Sequence, residues 1–261
     1  MKVGFIGCGN MGSALISAVM KCRDVELLIS DKNEILASAV AEKHGGLVVD
    51  TIRLAKESEV IFLAVKPNII PAVAAEIKEY LRDGALIVSM AAGVKIEALA
   101  DVLGEARIIR IMPNTPVAVG AGMITYAVGC SVTDGQVEIF KKLLSEAGTL
   151  DRISEELIDA ATAVAGCGPA FVYMFVEAIA DAGVQCGLCR EKALLYATET
   201  LKGASQMVSK SGKHPARLKD EVCSPQGSTI EGVHALEEGG FRAAVSNAVL
   251  AAYNKTKSLG K

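Results

Sequence analysis

Twelve residues at the start of the chain constrain its fold more than any other stretch. Lys2-Val3-Gly4-Phe5-Ile6 reads as a short buried strand and runs straight into Gly7-Cys8-Gly9-Asn10-Met11-Gly12. Apolar residues then recur at helical spacing through Leu15, Ala18, Val19 and Cys22. Strand, G-x-G-x-x-G and helix in unbroken succession is the arrangement that holds a dinucleotide pyrophosphate. Gly7 permits the tight turn, Gly9 lets the backbone approach the phosphates, and Gly12 lets helix pack on strand. The helix N-terminus supplies unpaired N–H groups and a partial positive charge, so Gly7, Gly9, Asn10, Met11 and Gly12 are expected at a nucleotide.

Alternation of strand and helix patterns continues from there. A second strand over 25–30 ends at Asp31, roughly twenty positions past the glycines, where such folds grip the adenosine ribose hydroxyls. Asp31 with Glu34 also resembles a capping box, and Lys32 and Asn33 suit a 2′-phosphate, so NAD and NADP both stay open. Further strands are expected at 47–49 and 60–65, the latter ending in Ala64-Val65-Lys66-Pro67 at the carboxyl edge where ligands bind. Lys66 faces either a cofactor or solvent. A helix over 69–81 precedes a strand at 85–89 and the small residues Ala91-Ala92-Gly93; another over 96–103 precedes a strand at 107–111. Two prolines then stiffen Met112-Pro113-Asn114-Thr115-Pro116 and present Asn114 at the sheet edge. Segments 123–128, 136–147 and 150–153 complete an α/β region whose sheet is mostly parallel and covered on both faces.

From residue 155 onward only helical patterns remain. Segment 169–187 is apolar almost all round, interrupted by Glu177 and Asp181, and a helix of that kind needs partners on all faces, which predicts an intertwined dimer. The uncharged stretch 160–176 is expected to be broken at Gly166-Cys167-Gly168-Pro169 and to lie in a packed interior or interface rather than a bilayer. The chain's 27 Lys and Arg against 30 Asp and Glu leave a net charge of −3 with no basic cluster, which disfavours nucleic acid and anionic membranes as partners. Residues 1–12 carry no signal-peptide pattern, and seven scattered cysteines suit reduced thiols, so a cytoplasmic location is expected. Cys186-Gly187-Leu188-Cys189 lacks the second pair or the histidines of a zinc site, so no metal is expected.

At 224–236 the pattern becomes specific. S-P-Q-G-S-T-I-E-G-V-H-A-L, with Gly239-Gly240-Phe241-Arg242 after it, resembles the signature of the pyrroline-5-carboxylate reductase family. So do V-G-F-I-G-C-G-N-M-G at 3–12, F-L-A-V-K-P at 62–67, A-A-G at 91–93 and M-P-N-T-P at 112–116. The resemblance covers nearly the whole chain. It implies an N-terminal Rossmann-type nucleotide domain (1–153) and an all-α dimerisation and substrate domain (154–261), a homodimer sometimes built up to a decamer. The implied reaction is reduction of 1-pyrroline-5-carboxylate to proline, the last step of proline biosynthesis, usually with NADPH and with NADH as the other candidate. Resemblance places Ala64, Val65, Lys66, Pro67, Ala92, Gly93 and Asn114 with the glycine loop, Asp31 and Lys32 at the cofactor. It places Ser224, Gly227, Ser228 and Thr229 at the substrate, the Thr229 hydroxyl hydrogen-bonding the ring nitrogen. The chain departs from the family at 165–171, where Ala165, Cys167 and Phe171 replace more polar residues, and at Asp31, which suits an unphosphorylated ribose.

Hydride transfer to C=N needs a nicotinamide, a held carboxylate and a proton near nitrogen; the imine can arrive protonated, so positioning supplies most of the catalysis. His234, one turn past the substrate loop, is either an acid or a surface residue. The rival reading within this architecture, a β-hydroxyacid reductase, uses a lysine on the interdomain helix, and no Lys or Arg lies between Arg152 and Arg190. A non-catalytic nucleotide sensor is the rival from another class.

Overall fold

The computed structural model describes residues 1–259. Its first part alternates strand and helix: β1 (Lys2–Ile6), α1 (Asn10–Val19), β2 (Glu26–Ser30), α2 (Glu34–His44), β3 (Leu47–Val48), α3 (Thr51–Glu57) and β4 (Val60–Leu63). There follow α4 (Ile70–Ile77), β5 (Leu86–Ser89), α5 (Ile96–Leu103), β6 (Arg107–Met112), β7 (Gly122–Val128), α6 (Asp134–Leu143) and β8 (Gly148–Arg152). All eight strands form one sheet in the order β3-β2-β1-β4-β5-β6-β7-β8. It is parallel except where β6 meets β7. Strand order reverses between β1 and β4, and such a reversal opens a crevice at the carboxyl ends of the strands.

The near-continuous apolar strands follow from burial on both faces. Phe5 and Phe62 stack at 4.4 Å on one face, in a core with Leu15, Ile29, Val88 and Ile109. Ile6, Ile61, Leu63 and Ile87 pack on the other with Leu54, Ile70 and Leu99. Helix α3 has no counterpart in the sequence reading. Asp50 starts it, accepting from the Arg53 N–H at 2.8 Å, and its seven residues are too few to show a periodicity. Helix α2 is capped by Asn33, which accepts from the Leu36 N–H, so the box expected between Asp31 and Glu34 is not the cap.

The remaining elements are helical: α7 (Ile158–Ala161), α8 (Gly168–Gln185), α9 (Arg190–Ser211), α10 (Pro215–Glu221), α11 (Ser228–Glu238) and α12 (Phe241–Leu259). The expected break at 166–169 falls at Cys167, a bend at which the two compact units also divide. A π-helical turn, Thr162–Gly166, follows α7 and ends at that bend, and α8 starts directly after it. Pro169 sits in the first turn of α8, where its missing N–H costs nothing. By length and composition alone, Glu155–Gln185 is the one helical stretch among the described residues long and apolar enough to cross a membrane.

Two compact units result: 1–167 with the end of α12, and 168–251. Segment 154–167 thus groups with the sheet. In the helical unit α8 lies against α9, and a Cβ on Gly183 would stand 3.1 Å from the Ala193 Cβ, so small residues set the close approach. The buried centre of that pair is only Ala180, Ala193 and Ala197.

Candidate active site

The loop after β1 is shaped as the glycines require. Gly7 has φ of +94°, and a Cβ there would lie 2.6 Å from the Ala64 carbonyl oxygen at the end of β4. A Cβ on Gly12 would lie 2.6 Å from the Gly7 carbonyl oxygen, so any side chain would pry α1 off the turn. Gly9 is different: a Cβ there meets nothing within 4 Å. Gly7 and Gly12 serve packing, and Gly9 leaves open space over the α1 N-terminus. No side chain caps that terminus, so its first N–H groups are free for an anion. These features fit the pyrophosphate of a dinucleotide.

A cleft of about 970 Å³ opens beside this loop, lined by Gly7, Gly9, Asp31, Lys32, Val65 and Lys66 among others. Of the sequence candidates, Ala64 also lines it. Asn10 and Met11 open α1, Met11 leaning on the core; Pro67 starts the short turn before α4, and Ala92 and Gly93 follow β5. The cleft also uses Ser30, Thr51 and the 48–50 stretch, which sequence reasoning missed. The Ser30 and Thr51 hydroxyls pair at 3.0 Å.

Asp31 is bound into the glycine loop. The Cys8 N–H donates to one carboxylate oxygen at 2.8 Å, and the Asn33 N–H to the other at 2.9 Å. The Cys8 thiol adds a longer contact of 3.4 Å. Partial burial works against the Asp31 charge, yet these donors outweigh it and hold the carboxyl below its ordinary range. The Cys8 thiol moves the other way: burial, then the neighbouring carboxylate, push it up to about 12, so it stays protonated and inert.

Asn114 does something the sequence did not suggest. Its carboxamide donates to the Ala165 carbonyl oxygen at 2.9 Å and accepts from the Met123 N–H at 2.8 Å. One amide hydrogen is left for a ligand, so the side chain acts first as a clamp between the proline-rich loop, β7 and the π-helical turn. Arg110, only 2 % exposed on β6, was also missed. It donates to Glu155 at 3.0 Å and lies 3.6 Å from Asp159; Glu155 also accepts from the Ile96 N–H that opens α5.

In the helical unit, Ser224-Pro225-Gln226-Gly227 forms a turn closed by the Gly227 N–H donating to the Ser224 carbonyl at 3.1 Å. Gln226 has φ of +59°, a conformation usually left to glycine. Gly227 is the cap of α11 and offers no side chain, so neither Ser228 nor Thr229 is the cap. Both are exposed in the first turn, as Ser224 is in the preceding loop. His234 pairs with Glu238 at 3.4 Å on the exposed side of the same helix.

Comparison with known proteins accounts for both units. The model described as "pyrroline-5-carboxylate reductase dimerisation" matches residues 155–259, and one described as "NADP oxidoreductase coenzyme F420-dependent" matches 2–93. The pyrroline-5-carboxylate reductase of Arabidopsis thaliana is 39 % identical over 264 residues, covering 100 % of this chain and 96 % of that one. That of Escherichia coli K12 is 39 % identical over 265 residues, covering 100 % and 98 %. Among solved structures, the Plasmodium falciparum pyrroline carboxylate reductase with NADP bound superposes with a TM-score of 0.91 at 34 % identity, covering 100 % and 98 %. Prephenate dehydrogenase of Aquifex aeolicus, at 11 % identity and a TM-score of 0.56, shares the fold alone. With full-length identity at that level and both units matched, the chain belongs to the pyrroline-5-carboxylate reductase family of NAD(P)H-dependent oxidoreductases acting on C=N bonds.

Proposed function

We propose that this protein reduces 1-pyrroline-5-carboxylate to L-proline, the closing step of proline biosynthesis, in the cytoplasm. The observation that carries this reading is that one chain holds both halves of the chemistry. A glycine cradle suited to a dinucleotide ends β1, and an uncapped, serine- and threonine-bearing helix start follows the 224–227 turn. Residues 1–153 serve the nucleotide, and 154–261 serve the substrate and self-association.

When bound, the reduced nicotinamide supplies the hydride; the residues of this chain do the placing. Gly7, Gly9 and Gly12 shape the phosphate cradle, with Lys66 and Pro67 at the β4 edge. The Ser228 and Thr229 N–H groups, free of any capping side chain, hold the substrate carboxylate at the positive end of α11. Ser224 and Gly227 fix the turn that aims them. The Thr229 hydroxyl meets the ring nitrogen, and since the imine can arrive protonated no stronger acid is required. His234, paired with Glu238, is left out of the chemistry.

Of the most apolar window in the helical stretch Glu155–Gln185, only 11 % is buried within the single chain. In this reading a second copy, rather than lipid, covers it, making the working unit a homodimer or a larger assembly. The test is imine-dependent oxidation of NADH and NADPH, with β-hydroxyacids run beside it. Proline formation supports the assignment; turnover of the hydroxyacids alone, or nucleotide binding with no turnover, refutes it.

A further inference from the structure

We propose that the nucleotide cleft selects NADH over NADPH, and that Asp31 is the residue that selects. The inference deepens the reading above and depends on nucleotide binding, not on the identity of the imine.

The placement comes from strand register. Ser30 pairs with Ile6 across β2 and β1, so Asp31 leaves the sheet level with Gly7, where a dinucleotide held on the α1 N-terminus brings its adenosine ribose. The carboxylate cannot swing away from that position. Its two oxygens are pinned by the Cys8 and Asn33 N–H groups at 2.8 and 2.9 Å, one from the glycine loop and one from the start of α2. A ribose hydroxyl can donate to an oxygen so held, while a 2′-phosphate would bring a dianion against a fixed negative charge.

The rest of the cleft does not compensate. Its lining carries Asp31, Glu34, Asp50 and Glu76 against Lys32 and Lys66. Lys32 is a single exposed, flexible ammonium. Asn33 has its carbonyl committed to the Leu36 N–H, leaving one neutral amide as a donor. One mobile cation beside a pinned carboxylate leaves a phosphate dianion worse placed than a hydroxyl.

The test is calorimetric titration of the whole protein with NADH and with NADPH, no imine present. The wild type should bind NADH at least about tenfold more tightly, about 1.4 kcal/mol. That ratio should shrink as salt is raised, because the discrimination is electrostatic. Asp31→Asn and Asp31→Ser, which remove the charge, should bring the two dissociation constants to within about threefold, mainly by tightening NADPH. Equal or tighter NADPH binding by the wild type overturns the proposal, and so does an Asp31→Asn protein that loosens both nucleotides alike, since Asp31 would then only pin the loop. The wild-type ratio stands even if the variants fold poorly. Failure of the imine reading would look different: selective nucleotide binding with no imine-dependent oxidation.

Discussion

The two units bury their apolar residues in opposite ways. In the sheet unit, two clusters flank the strands, and Phe5, Phe62, Ile61 and Leu63 are wholly enclosed. In the helical unit only three alanines form the centre, while Tyr173 and Met174 on α8 and Leu194, Leu195 and Tyr196 on α9 stand exposed. A doubly wound sheet closes its own core because helices return to both faces within the same chain. A pair of long helices apolar beyond their mutual seam cannot do so. The helical unit is therefore built to be completed by another copy, which agrees with the match of 155–259 to a dimerisation family.

The largest effect should come from the sheet core. Phe62→Ala removes a ring stacked on Phe5 and should cost about 3–5 kcal/mol. Urea melts followed by circular dichroism should give the same loss at dilute and concentrated protein, because that core belongs to one chain. A loss that fades at high concentration would erase the contrast between the units.

Next is the exposed face of α8. Met174 is 69 % exposed, whereas Val176 is turned toward Ala180, Ala193 and Ala197, so Met174 is the better probe. Met174→Asp should put an unpaired charge into the interface and weaken self-association by about 3 kcal/mol. Sedimentation should then show monomer at concentrations where the parent is assembled. An unchanged assembly would mean that this face is covered by something else.

Smaller still is Thr229→Val, which keeps the shape of the side chain and removes the hydroxyl. A drop in kcat/KM of at least about tenfold, about 1.4 kcal/mol, should appear with unchanged melting and unchanged nucleotide affinity. Full activity would place the ring nitrogen elsewhere. It sharpens the comparison because an exposed residue of the helical unit would then serve chemistry rather than stability.

The smallest effect should be a gain. Gln226 holds a left-handed backbone at the third position of its turn, where glycine is favoured. Gln226→Gly should relieve that strain and raise stability by about 0.5–1 kcal/mol, the greater freedom of unfolded glycine taking back part of the benefit. A thermal midpoint that stays the same or falls would show that Gln226 is held there by contacts worth more than the strain.

What could be read from the sequence alone was local. A strand, a glycine turn and a helix are set by backbone sterics within a dozen residues, so the β1–α1 cradle and the run of strands were legible, as was the turn opening α11. Periodicity failed where elements were short or irregular: α3 has seven residues, and the turn Thr162–Gly166 before α8 is π-helical. The partnerships that give site residues their tasks belong to the tertiary structure. Asp31 meets Cys8 across 23 positions, Arg110 meets Glu155 across 45, and Asn114 meets Ala165 across 51. Such pairs depend on strand order and on where the chain returns to the sheet, and no periodicity encodes them. Residue type singled out Asp31 and Asn114 as candidates; only the folded chain decided that one is pinned to the glycine loop and the other clamps the turn before α8.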